Sequence, residues 1–171
     1  SFFFPCYNEE NSIEDSVREA LKILPQVAQK YELILVDDGS KDTTGKIADK
    51  LAKSNNHLKV IHHQPNQGYG GALKSGFYAA KYNWIATVDV DRQFDVSELS
   101  KLINRAQEGY EVVIGYRLDR KDPLIRKING WGWTLLANIL LGINVRDVDC
   151  SFKLVKKEVI NRIPHLESTR G

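Results

Sequence analysis

The sequence predicts an α/β fold, a mostly parallel central sheet flanked by helices. Short apolar runs alternate with stretches of helical spacing along the chain. The runs are continuous rather than alternating, as in strands covered on both faces by crossover helices. Unusual polar residues gather where those runs end, and in a parallel sheet that edge is where ligands sit.

SFFFP (1–5) reads as the end of a first strand. Residues 12–30 follow with helical spacing at Ile13, Val17, Ala20, Leu21 and Leu24, with Asn11 or Ser12 as N-cap and Pro25 as a break or kink. ELILVDDGS (32–40) is a second strand, and Ile47, Ala48 and Leu51 share one face of a helix from about Thr43 to Lys53. LKVIHH (58–63) is a third strand, and YGGALKSGFYAAK (69–81) a glycine-rich turn entering a helix. WIATVDVD (84–91) is a fourth strand, 96–107 a helix built on Leu99, Leu102, Ile103 and Ala106, and YEVVIGYR (110–117) a fifth strand. The 171 residues suffice for one domain with a core.

The 24 basic and 22 acidic residues leave a net charge of +2, which carries no signature of nucleic-acid binding. Cys6 and Cys150 make neither a disulfide framework nor a zinc pair and read as reduced thiols of a cytosolic protein. The chain has no methionine, opens inside an apolar run and stops at ESTRG, so both ends read as cut from a longer polypeptide.

NQGYGGALKSG invites two phosphate-binding readings, and both fail at Leu73. A Walker A loop needs glycine immediately before Lys74-Ser75, and a dinucleotide fingerprint starting at Gly68 needs its third glycine at 73. The segment is either a tight strand-to-helix turn or a place where backbone and a helix N-terminus approach an anionic ligand.

Three acidic clusters close three strands: Tyr7-Asn8-Glu9, Asp37-Asp38 and Asp89-x-Asp91. In extended chain, residues i and i+2 point the same way, so Asp89 and Asp91 would face one space. At ~4 Å and an effective dielectric near 20, two such charges repel by roughly 4 kcal/mol. A hard divalent cation reverses that sign, and Gln93 could add an oxygen ligand. The alternative is that one acid caps the helix near Ser97 while the other is solvated.

Taken together, PCYNEE, LVDDGSKDTT, NQGYGGALKSG, DVD (89–91) and GYR (115–117) resemble the inverting family 2 glycosyltransferases, in that family's order and over nearly the whole chain. DVDCSFKL (147–154) extends the likeness, although Cys150 and Ser151 stand where relatives often carry glycine. The resemblance implies a Rossmann-like GT-A nucleotide-diphospho-sugar transferase fold and a single catalytic domain over 1–171. Within the family, DVDRQ, the basic RLDRKDPLIRK and DVDCSFKL look most like the dolichol-phosphate mannose synthase and polyprenyl-phosphate glycosyltransferase branch.

That branch implies Mg2+ or Mn2+, a donor of the GDP-mannose or UDP-sugar type, a polyprenyl or dolichyl phosphate acceptor, and the cytoplasmic face of a membrane. Pro5, Tyr7, Asn8, Glu9, Asp37, Asp38, Gly68 and Lys74 would hold the donor, with Asp89 on its ribose or on the metal. Asp91 and Gln93 would hold the metal against the diphosphate. A lipid phosphate is already anionic and needs cations rather than a base, so Arg117 and Arg126 are candidates for bidentate contact. Asp147 and Asp149 would orient the acceptor or a neighbouring cation, or pair structurally with Arg146 or Lys153. Two rivals stay open: a family member acting on a glycan or small hydroxyl acceptor in cell-envelope polysaccharide synthesis, with one of those acids as base, and a non-catalytic nucleotide-sugar-binding module.

The apolar segment 123–145 carries no charge from Ile128 to Val145. That length nears the lower bound of about 17–25 residues for a membrane span, but repeated glycine and asparagine argue against spanning. Trp131 and Trp133 beside Arg126 and Lys127 suit a helix lying at the membrane interface; the alternative is an internal helix packed on the sheet.

Overall fold

The computed structural model describes residues 1–91, 93–117 and 124–163, with the backbone alone for 124–128. Its strands are β1 (Phe2–Cys6), β2 (Leu33–Asp37), β3 (Leu58–His62), β4 (Trp84–Thr87), β5 (Val112–Ile114) and β6 (Lys153–Lys156). They form one sheet in the order β3-β2-β1-β4-β6-β5. The first four run parallel, and β6 is antiparallel to both β4 and β5. The expected mostly parallel α/β sheet is therefore present, with one strand, β6, that the five-strand reading missed.

The helices are α1 (Ile13–Val27), α2 (Thr44–Lys53), α3 (Gly68–Ala79), α4 (Leu99–Gln107), α5 (Leu124–Leu141) and α6 (Lys157–Asn161), with a 3-10 turn at Val96–Glu98. Every residue of β1 and β2 is buried. Alternation divides them between two layers. Phe2, Phe4, Leu33 and Leu35 pack with Val17, Ala20 and Leu24 of α1 and Leu99 and Leu102 of α4. Phe3, Ile34 and Val36 pack with Ala72 of α3 and Ile160 of α6. Each of the phenylalanine, leucine, isoleucine and valine side chains contributes about 1.5–3 kcal/mol by leaving water. On the second face α3 lies very close to the sheet, because a Cβ at Gly76 would stand 2.3 Å from the Phe3 ring.

Two boundaries differ from expectation. Pro25 does not stop α1, which continues to Val27 before Ala28 closes it by donating to the Leu24 carbonyl at 3.0 Å. β4 ends at Thr87 rather than 91, because pairing with β1 stops at Phe3–Thr87 and pairing with β6 at Thr87–Lys153. Val88 to Asp91 therefore extend past the sheet edge.

Candidate functional site

A cavity of about 410 Å3 opens at the carboxyl edge of the parallel strands. Pro5, Cys6, Tyr7 and Glu9 line it from the end of β1, Asp38 from β2, and Asp89, Val90 and Asp91 from β4. Asn66, Gly68, Tyr69 and Ala72, at and just before the start of α3, complete the lining. The fold thus brings Pro5, Tyr7, Glu9, Asp38, Gly68, Asp89 and Asp91 to one space, whereas neither Lys74 nor Gln93 lines it.

The loops after β1 and β2 are stitched together. Asn8 takes a left-handed conformation (φ 57), which asparagine tolerates better than most residues. Its N–H donates to Ser40 Oγ at 3.0 Å and its Oδ1 accepts from the Lys41 N–H at 2.8 Å. The Glu9 N–H donates to Thr44 Oγ1 at 2.7 Å, and the Ser12 hydroxyl donates to Glu9 Oε2 at 2.5 Å. Ser12 does stand at the N-cap of α1, but its side chain makes no cap bond to the helix.

Asp37 and Asp38 face opposite ways. Asp37 accepts from the Ser40 N–H at 3.1 Å and meets His62 Nδ1 at 2.9 Å, away from the cavity lining. His62 Nε2 reaches Asp49 at 3.1 Å. Partial burial opposes charge on His62, but bonds and attraction from Asp37 and Asp49 outweigh it and raise its pKa above the ordinary value. Asp38 Oδ1 accepts from the Gln67 N–H at 2.8 Å and meets His63 Nδ1 at 2.6 Å. The tight passage beside it needs Gly39, whose φ is +71 and where a Cβ would stand 3.1 Å from the Asn66 backbone.

Asp89 Oδ1 accepts from the Tyr69 hydroxyl at 3.0 Å, and its N–H donates to Ser151 Oγ at 3.4 Å. Burial, then the charge of Asp89, pushes the Tyr69 phenol well above its ordinary pKa, so it stays a donor. Asp91 is exposed and accepts from the Gln93 N–H at 3.1 Å, a local turn. The cap near Ser97 is made by Asp95, which accepts from the Ser97 N–H at 2.8 Å, so that duty falls on neither acid of the pair. Among the described residues no three His, Cys, Asp or Glu side chains form a ready-made metal cage.

Beyond Asp89 lies a second polar group. Arg117 grips Asp147 with two parallel bonds, Nε to Oδ2 at 2.9 Å and an NH2 to Oδ1 at 3.2 Å. Arg146 instead stacks over the Tyr116 ring at 4.9 Å, and Asp149 is exposed. Lys153 Nζ donates to the carbonyls of Val148 and Cys150. Burial lowers its pKa, against the opposing influence of Cys150, Asp147, Asp149 and Asp89. The Arg126 side chain lies outside the described residues, as does the segment 118–123. Sequence reasoning missed Asn66, Tyr69, His63 and Ser75. The first two flank Gly68 in a segment read for its glycines and Lys74, and His63 follows β3 as Asp38 follows the neighbouring β2.

Helix α5 is apolar on the wrong side for a globular protein. Gly130, Thr134 and Ala137, at helical spacing, face the protein. Trp131, Trp133, Leu135, Leu136, Ile139, Leu140 and Leu141 face out, with Trp131 68% and Leu140 71% exposed. Thr134 Oγ1 accepts from the Val148 N–H at 3.4 Å, and the Asn138 amide exchanges bonds of 2.9 and 3.0 Å with the Val145 backbone. These bonds fasten α5 to the residues on either side of Asp147. Among the described residues no helix is long and apolar enough to cross a membrane.

Comparison with known proteins gives a consistent result. The family model described as "Glycosyl transferase family 2" matches residues 1–163. Undecaprenyl-phosphate 4-deoxy-4-formamido-L-arabinose transferase of Proteus mirabilis is 33% identical over 162 residues, 94% of this chain and 50% of that protein. Dodecaprenyl-phosphate galacturonate synthase of Rhizobium johnstonii is 31% identical over 166 residues, 95% of this chain and 49% of that protein. The chain therefore spans about half the length of these curated relatives. Among solved structures, glucosyl-3-phosphoglycerate synthase from Mycobacterium tuberculosis with Mn2+ and UDP-glucose superposes with a TM-score of 0.70 at 22% identity, covering 95% of this chain and 57% of that one. The mannosyltransferase PcManGT from Pyrobaculum calidifontis with GDP-mannose and Mn2+ gives 0.67 at 18% identity, covering 95% and 46%.

Proposed function

The chain belongs to glycosyl transferase family 2 and has its GT-A fold, and from that premise we propose that it transfers a sugar, with inversion, from a nucleoside-diphosphate donor to a polyprenyl phosphate. The observation that carries this reading is the cavity onto which Glu9, Asp38, Asp89 and Asp91 all open. Four carboxylates repel a diphosphate unless a cation stands between. The donor set fits a hard divalent ion: Asp89 and Asp91 offer oxygen, and Mg2+ or Mn2+ ordinarily takes one or two protein carboxylates and fills its remaining positions with phosphate oxygens and water. Asp89 and Asp91 would hold it, with Gln93 on the adjoining turn as a further oxygen ligand. When bound, such an ion offsets the negative charge that develops on the diphosphate leaving group. The similar solved structures that hold Mn2+ with UDP-glucose or GDP-mannose support the same class of donor.

The chain's own residues divide the remaining work. Asp38 and Glu9 accept hydrogen bonds from the neutral nucleoside rather than from phosphate. Tyr69 fixes the orientation of Asp89 through its hydroxyl. An acceptor phosphate oxygen attacks the anomeric carbon, the bond from that carbon to the diphosphate oxygen breaks, and the bonding pair leaves with the nucleoside diphosphate. No proton has to be removed from the attacking oxygen, so no general base is required. Arg117 and Arg126 draw the phosphate in, and Asp147 holds the Arg117 guanidinium in place. That engagement also argues against Asp147 as the base a hydroxyl acceptor would need. Both curated relatives are named for polyprenyl phosphates, which supports the lipid acceptor.

We assign the outward apolar face of α5 to the membrane interface. Its tryptophans suit headgroup depth, and its leucines and isoleucines suit the acyl boundary. The two free buried thiols suit the reducing, cytoplasmic side. The test is transfer by the full-length protein from GDP-mannose or UDP-sugars to undecaprenyl phosphate in vesicles with Mn2+ or Mg2+. Glycolipid product is expected; extension of a soluble glycan without glycolipid overturns the acceptor. Leu140→Glu is expected to cut vesicle binding while nucleotide affinity holds, and unchanged vesicle binding removes α5 from the interface.

A further inference from the structure

We propose that His63 and Ser75 are positioning residues for the donor's nucleoside, acting through Asp38; this rests on the nucleotide-sugar reading above. Three side chains form a line: Asp38 Oδ1 to His63 Nδ1 at 2.6 Å, and His63 Nε2 to Ser75 Oγ at 2.8 Å. Asp38 is 3% exposed and His63 5%. In the tautomer whose Nδ1–H donates to the Asp38 carboxylate, Nε2 accepts a hydrogen bond from the Ser75 hydroxyl.

The order acid, imidazole, hydroxyl is that of the serine hydrolases, but the open end is the other one. Ser75 lies inside α3 and neither it nor His63 lines the cavity, whereas Asp38 does. The line therefore runs from α3 outward: Ser75 sets the ring, the ring sets the carboxylate, and the carboxylate meets the ligand. The Gln67 N–H binds the same Oδ1 at 2.8 Å, so both donors load one oxygen. None of the hydrogen bonds among the described residues uses Oδ2. A carboxylate turned this way accepts from a neutral N–H or O–H and repels phosphate, so its partner is the base or ribose.

The register of the sheet explains the arrangement. Asp37 pairs with His62 across β2 and β3, and the next residues on each chain, Asp38 and His63, turn to the opposite face together. His62 serves Asp37 and Asp49 under α2, and His63 serves the cavity side.

Calorimetric titration of full-length protein tests this, with UDP and GDP, each with Mn2+, and with pyrophosphate and Mn2+. His63→Ala is expected to weaken binding of the preferred nucleoside diphosphate about 10-fold or more, the loss of a charge-assisted bond, with pyrophosphate affinity unchanged. His63→Asn, whose amide still donates to Asp38, is expected to recover most of that loss. Ser75→Ala, a smaller change, is expected to weaken nucleotide binding several-fold by the same route. Wild-type nucleotide affinity in His63→Ala and Ser75→Ala overturns the proposal, and so does an equal loss of pyrophosphate, which marks a merely structural role. A wild-type protein that binds neither UDP nor GDP overturns the donor reading itself, a distinct result.

Discussion

Gly76→Ala is expected to destabilise the protein although alanine is the better helix former. A Cβ at this position would stand 2.3 Å from Phe3 Cδ2 and 2.4 Å from Cε2. Carbon atoms rest at about 3.5–4.0 Å, so the shortfall exceeds about 1 Å. Phe3 is 0% exposed and packs edge to face against Phe77 with centroids 5.1 Å apart. The ring has no space to retreat into, and α3 must lift instead. Overpacking of this kind costs about 1–3 kcal/mol, against about 1 kcal/mol gained in helix propensity. With so severe an overlap the net loss falls at about 1–2 kcal/mol, or a Tm lower by roughly 2–8 °C at this chain length. Because Gly68, Tyr69 and Ala72 of α3 line the cavity, nucleotide affinity is expected to fall as well. Gly132→Ala in α5 is the control: a Cβ there meets nothing within 4 Å, so thermal melts should show a rise from propensity alone. A Tm for Gly76→Ala that rises as far as that of Gly132→Ala refutes the close packing of α3 on β1.

Asp91→Asn is expected to abolish the gain in donor affinity that Mn2+ provides, leaving metal-free binding as it was; calorimetry with and without Mn2+ reads both, and an unchanged gain sinks the metal role. Thr87→Val is expected to stabilise by about 1 kcal/mol, because Thr87 Oγ1 is buried without a hydrogen-bond partner among the described residues and such a group carries a desolvation cost; a lower Tm would mean the hydroxyl has a use. His62 has a raised folded pKa, so its contribution is complete below about pH 6.5 and is lost as pH rises through the folded value. Urea midpoints of the wild type should accordingly drop more steeply than those of His62→Asn above that pH, and parallel curves would refute it.

The proposed donor side of the site was legible because a parallel sheet simplifies the problem. Once 33–37 and 84–87 are strands in such a sheet, Asp38, Asp89 and Asp91 must emerge at one edge. What the pattern could not divide was Asp37 from Asp38, since either can be the last strand residue and one step reverses the face. Only the pairing of Asp37 with His62 decides it. Asn8 illustrates a different limit. Its place beside Tyr7 and Glu9 suggests a ligand contact, but its side chain is engaged in joining two loops. A residue that shapes a site and one that touches a ligand carry the same sequence signature.

The proposed acceptor side was harder for a topological reason. KLVK is too short for its alternation to stand out, and it follows a polar turn, so β6 left no strand signal of its own. Yet β6 is what assembles that side. Because it runs antiparallel between β4 and β5, its first residue lies opposite the last residue of each: Lys153 faces Thr87 in β4 and Ile114 in β5. The residues that lead into β6 therefore stand at the same edge as those that leave β4 and β5. Asp147 meets Arg117 across 30 positions of sequence, and Lys153 feels the charge of Asp89. Had β6 run parallel, the DVDCSFK segment would lie at the opposite edge, a strand length of about 13 Å away at 3.3 Å per residue. Four strands running one way set the cavity carboxylates at one edge, and one strand running the other way brings the residues after α5 back to meet them.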